Sequence, residues 1–125
     1  MTAAQTRLTY AAIALFATIS ICRADTFTAG PGAFTCGKFA NEYLRNPVLT
    51  EGVYFTWAQG FMSAMNMVNA IEGGDGRKFY HDLEGPFETQ KSKLRAYCNA
   101  HPLSYFVDAE MDLLGSLPVK PMQPK

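Results

Sequence analysis

From Tyr54 to Ile71 the chain reads Tyr-Phe-Thr-Trp-Ala-Gln-Gly-Phe-Met-Ser-Ala-Met-Asn-Met-Val-Asn-Ala-Ile, part of its longest uncharged stretch. On a helical repeat Val53, Trp57, Phe61, Ala64 and Val68 share one face. Tyr54, Ala58, Met62 and Met65 widen that face until most of the circumference is apolar. A helix apolar nearly all round is covered on several sides, so this segment is expected to be the central helix of a small domain. Thr50 is its expected cap, with Glu51 in the first turn, where a carboxylate suits the helix dipole. Gly60 in its interior predicts the close approach of another backbone. Asn66 and Asn69 read as amides that bond backbone or face water, with a binding surface as the alternative. Met62, Met65 and Met67 read as fillers of an irregular core, with an adaptable recognition surface as the alternative.

Three further helices follow from the same periodicity. Thr35 caps a first helix from Cys36 to Arg45, whose stripe is Phe39, Ala40, Tyr43 and Leu44. Asn46-Pro47 ends it, because a residue before proline avoids the α region. Pro86 opens a third helix that runs to about Asn99, with Phe87, Leu94 and Cys98 inward and a Glu88–Lys91 surface pair. Ser104 is the expected cap of a fourth helix to Leu117, with the stripe Phe106, Val107, Met111, Leu114 and Leu117. Asp108, Glu110 and Asp112 read as its solvated side. Phe79 to Leu83 is a short helical turn or an irregular aromatic segment. No run alternates with period two, so no sheet is expected. The predicted fold is all-α: a small bundle of four helices (three to five), orthogonal or antiparallel, over residues 35–117. A flexible lead-in, 25–34, precedes it and a disordered tail, 118–125, follows.

Residues 1–24 carry a different pattern. A polar start with Arg7, an apolar run from Leu8 to Ile21 and the ending Cys22-Arg23-Ala24 make a secretory signal peptide, cut before Asp25. The apolar run is shorter than the roughly 18 to 20 residues of a spanning helix, so no membrane attachment is expected after cleavage. Cleavage leaves 9 cations and 11 acids, a net charge of 9 − 11 = −2. Such a chain has no basic field to grip nucleic acid. Cleavage also leaves two cysteines, Cys36 and Cys98, and an even pair in an exported chain reads as a disulfide. A bridge across 62 positions stabilises by roughly 4 kcal/mol on the loop-entropy model. The expected location is the periplasm or the secreted fraction.

Signs of catalysis are sparse. The two histidines, His81 and His101, belong to no metal or catalytic motif, and neither Gly-x-Ser-x-Gly nor His-Glu-x-x-His occurs. His101 suits a helix C-terminus, where its cation meets the dipole. The glycines of Gly73-Gly74-Asp75-Gly76 lack the Gly-Lys-Ser/Thr context of a phosphate loop. No enzyme, cofactor or metal is expected. Protein partners are, either unfolded clients or one cognate effector, and a homodimer is compatible with the composition. Trp57, Phe61, Met62 and Met65 form the candidate apolar binding surface.

Thr35-Cys36-Gly37-Lys38-Phe39, Trp57-Ala58-Gln59-Gly60-Phe61 and Tyr97-Cys98-Asn99-Ala100-His101-Pro102-Leu103 occur in an order that resembles the HdeA/HdeB family of periplasmic acid-stress proteins. The resemblance spans Thr35 to Leu117. It implies an all-helical fold with one disulfide and a chaperone that holds clients at low pH. The connection Gly73 to Gly85 is longer than the family's. A second resemblance is to the Rap/Tai immunity proteins, small exported helical proteins that neutralise cell-wall amidases of competing bacteria. An envelope structural protein without a client is the remaining expectation.

Overall fold

The computed structural model describes residues 28–72 and 79–122. The signal-peptide reading of residues 1–24, the loop over 73–78 and the end of the tail lie outside them. Four helices are present: α1 (Cys36–Arg45), α2 (Pro47–Glu72), α3 (Phe87–Ala100) and α4 (Phe106–Ser116). The expected all-α bundle with one disulfide is the architecture. To it are added a 3-10 turn (Gly30–Ala33) and a two-stranded sheet of β1 (Phe79–His81) and β2 (Val119–Pro121). No helix among the described residues is long and apolar enough to cross a membrane.

Helix α1 starts as expected, with the Lys38 amide donating to Thr35 Oγ1 at 3.2 Å. Its other early amides find long-range acceptors. Cys36 N–H donates to Ser104 O and Gly37 N–H to Pro102 O, both at 2.8 Å. These bonds satisfy donors that a helix start leaves open and seat α1 on the α3–α4 connection. Beside them Cys36 and Cys98 are joined, with Cα atoms 4.7 Å apart. Further along, Tyr43 of α1 meets the Arg95 guanidinium of α3, 5.7 Å from the ring centre. Contacts therefore run in opposite directions along the two helices.

A single residue joins α1 to α2. Asn46 N–H donates to Glu42 O at 3.0 Å and closes α1. Its side-chain Oδ1 accepts from Leu49 N–H at 3.2 Å and opens α2, with Pro47 as first helical residue. The expected cap Thr50 is instead a buried residue inside α2, because Asn46 already supplies the cap four residues earlier.

The buried face of α2 is also corrected. Tyr54, Phe55, Ala58 and Met62 are in the core, with Met65 packed against it. Val53, Ala64 and Val68 are exposed. The real stripe lies one residue later than expected, a rotation of about 100°. The helix is covered along that stripe, not on several sides. Leu44 of α1 is likewise exposed. Gly60 meets no other backbone: a Cβ there would have nothing within 4 Å. Close approach occurs at Gly32 instead, where a Cβ would overlap the Trp57 ring. The lead-in is thus ordered at Gly30–Ala33 by its seat on Trp57.

At the centre of the core Phe39, Tyr54 and Phe106 form an aromatic triangle with centroid separations of 4.9, 5.1 and 4.8 Å. On α3 the inward residues are Gln90, Leu94 and Cys98. Phe87, expected inside, is half-exposed and rests edge-on against Phe55. Gln90 is tolerated because its Nε2 donates to Leu83 O and Gly85 O, at 3.2 and 3.1 Å. The cap of α4 is Tyr105, not Ser104: the Asp108 carboxylate accepts from Tyr105 N–H at 2.9 Å. Met111 is exposed and Glu110 buried, opposite to expectation.

The sheet overturns two expectations, that no strands form and that the chain is disordered from Pro118 onward. Strands β1 and β2 pair antiparallel with Tyr80 opposite Lys120. Asp82 N–H donates to Pro118 O at 2.7 Å, and Lys120 lies 2.6 Å from the Asp82 carboxylate. Phe79–His81 is therefore a strand, held to α2 through Asn66.

Candidate functional surface of helix α2

The residues singled out from sequence do not converge on one surface. Met62 is fully buried in the core, so it is no part of an accessible face. Met65 is half-buried. Trp57 and Phe61 stack in parallel, with centroids 5.6 Å apart and planes 9° from coincidence, and both are half-buried against the core and the 3-10 turn. Cys36 and Cys98 are buried and bonded to each other.

What the fold does present is the opposite face of α2. Leu49, Val53, Met67 and Ile71 are 62, 50, 64 and 75 % exposed. Thr56, Gly60 and Ala64 lie between them, also exposed. Together they form one stripe from Leu49 to Ile71 of the 26-residue helix, about 33 Å at 1.5 Å per residue. No member of the stripe is charged. At its N-terminal end a shallow apolar depression of about 660 Å³ is lined by Val48, Leu49, Gly52 and Val53. Contiguous apolar exposure of this kind is the surface signal that accompanies protein–protein contact. The sequence held the pattern, but core and outer positions of α2 are equally apolar, so periodicity alone did not separate them.

Of the two charged residues of α2, Glu72 is exposed at its C-terminal end and Glu51 faces α3. Glu51 pairs with Arg95 and lies 3.7 Å from Lys91, which also reaches Glu88 at 2.9 Å, the expected surface pair. The Tyr54 hydroxyl donates to Glu42 at 2.9 Å. Burial, and then that contact with Glu42, push the phenol above its ordinary range. At the sheet, the Lys120 ammonium beside Asp82 holds that carboxyl below the usual range and is itself pushed up.

Glu110 is the residue that sequence reasoning missed most clearly. It is 0 % exposed, and neither carboxyl oxygen has a hydrogen-bond partner among the described residues. Burial pushes its carboxyl up to about 9. The position carried a signal: Glu110 follows Phe106 by four and precedes Leu114 by four, on the buried stripe of α4. Its charge pointed the other way.

His101 sits at the end of α3, its ring 4.3 Å from that of Tyr97 and its Nδ1 3.0 Å from Tyr97 O. His81 is tied through its backbone to Asn66. Among the described residues no group of three or more His, Cys, Asp or Glu side chains is placed to hold a metal ion. No family model, curated protein or solved structure matches the chain.

Proposed function

We propose that the chain is an exported, disulfide-braced helical protein that acts by binding other polypeptides, and that it holds unfolding clients under acid stress in the manner of the HdeA/HdeB proteins it resembles. The uncharged, exposed stripe of α2 carries this reading. It offers apolar surface to any client without the desolvation cost of buried charge.

Acid acts on the fold with two opposite signs. Asp82, held below its ordinary value by Lys120, contributes stability above that value of 3.8 and loses it as pH falls. Nine cations of the cleaved chain then repel one another. Glu110 acts in reverse. Its folded value lies above its unfolded one, so its burial is free of charge in acid and becomes costly only as pH rises. Acid thus loosens the sheet, while α4 and the Cys36–Cys98 bridge hold the core.

The test is the purified protein at neutral pH and at about pH 3, followed by dye binding and by its suppression of client aggregation. Acid exposure of apolar surface together with suppression is expected. Neither effect at low pH would sink the acid-stress reading. The resemblance to amidase-neutralising immunity proteins supports a second reading, favoured by the fact that the stripe is already exposed in the folded state. That reading requires one hydrolase bound tightly at neutral pH, and recovery of no hydrolase would count against it.

A further inference from the structure

Strand β2 reaches the rest of the described fold mainly through β1. None of its residues is buried, so its departure opens no cavity in the core. Strand β1 is held from its far side, where Asn66 of α2 bonds both backbone groups of His81 at 2.8 Å. The register sets Tyr80 opposite Lys120 and His81 opposite Val119, and Asp82 N–H donates to Pro118 O at 2.7 Å. Successive residues of an antiparallel ladder turn their backbone groups to opposite sides. Tyr80 and Asp82 therefore face β2, while His81 faces α2. We propose that this edge of β1 is a strand-addition site for a partner polypeptide. In the resting protein β2 fills it, and an extended segment with a cation opposite Tyr80 displaces β2.

Strand β2 is an incomplete occupant. Pro118 accepts from Asp82 but has no N–H to return to the Asp82 carbonyl, so a segment with another residue at that place gains a ladder bond. Charge selects the segment. The Lys120 ammonium lies 2.6 Å from the Asp82 carboxylate, and hydrogen bonding to Asp82, then the charges of Asp82, Tyr80 and Glu84, favour its charged form. An incoming strand meets the same carboxylates. The opposite edge of the sheet is a poorer template. Its outward backbone groups belong to Val119 and Pro121, and a proline on an edge offers no donor. Addition to a sheet edge takes its affinity from main-chain bonds and its selectivity from side chains. The site lies apart from the stripe of α2, although it too rests on the reading that the protein binds polypeptides.

The probe is a fluorescent peptide Ala-Val-Lys-Pro-Met, residues 118–122 with alanine in place of the first proline, followed by anisotropy against the full mature chain. In Lys120→Glu the chain's own strand meets like charge at Asp82 and is released. The peptide is expected to bind that variant about tenfold more tightly than wild type, where β2 competes at high effective concentration. Chemical shifts are expected to move at Tyr80 and Asp82 and not along the stripe of α2. The peptide Ala-Val-Glu-Pro-Met is expected not to bind. No binding to folded Lys120→Glu at about 1 mM, equal binding of the glutamate peptide, or shifts confined to the stripe overturns the proposal. Where Lys120→Glu fails to fold by circular dichroism, wild type decides alone. Excess peptide must then strip exchange protection from the Lys120 amide while His81 keeps its own, and unchanged protection at Lys120 overturns the proposal. Suppression of client aggregation without peptide binding would leave the client reading standing and the strand site refuted; peptide binding without suppression would do the reverse.

Discussion

The side-chain amide of Asn66 grips the backbone of His81 from both sides, donating to its carbonyl and accepting from its N–H, each at 2.8 Å. This pair docks the sheet on α2. It also gives an amide in an apolar helix a use that periodicity does not reveal.

Asn66→Ala leaves two partly buried backbone groups of His81 without partners. A loss of about 1–3 kcal/mol is expected, read by urea unfolding, with faster amide exchange in β1 and β2. Asn69→Ala, which removes neither bond, serves as the control. Equal losses from both variants would refute the docking role.

Glu110 predicts a pH profile. The folded carboxyl, near 9, lies above its unfolded value, so its stabilising contribution is full below about 4.5 and declines as pH rises toward the folded value. At neutral pH, holding the acid neutral costs about 3 kcal/mol. In Glu110→Gln the decline between mildly acidic and mildly alkaline pH should flatten, measured as unfolding free energy against pH. Parallel profiles for the two proteins would exclude Glu110 as the titrating group.

Reducing the bridge, or replacing Cys36 and Cys98 by Ala, should cost roughly 4 kcal/mol through the 62-residue separation. The melting temperature in the presence and absence of reductant is the measurement. An unchanged value would mean that the backbone ties between α1 and the α3–α4 connection suffice alone.

Gly32→Ala forces a methyl group into the Trp57 ring. A loss of about 1–3 kcal/mol is expected from overpacking, together with a shift in the fluorescence of this single tryptophan. If stability and emission both stay as in the wild type, the 3-10 turn is not seated on the indole.

The helix ends were legible because their signals are local. Thr35 before Cys36, Asn46-Pro47, Pro86, His101-Pro102 and Pro118 each act on their own or neighbouring backbone groups, and the observed limits of α1, α3 and α4 fall within two residues of those expected. The cysteine pairing was legible from parity alone. On α3 the phase of Leu94 and Cys98 also pointed to Gln90, four residues before Leu94, but its polarity argued against burial; the tertiary fold offsets this by giving its Nε2 the carbonyls of Leu83 and Gly85.

The sequence by itself determined the helical class, the boundaries of most helices and the bridge, because capping, proline geometry and cysteine count need no distant partner. Tertiary structure decided which way α2 is turned. With apolar residues all round, that helix gains from burying either face, and the shapes offered by Phe39, Leu94 and Phe106 select Tyr54, Ala58 and Met62. The same long-range packing buried Glu110 and brought β1 beside β2 across about forty residues of chain. By turning Val53 and Ala64 outward instead of inward, it also created the uncharged stripe on which the proposed function depends.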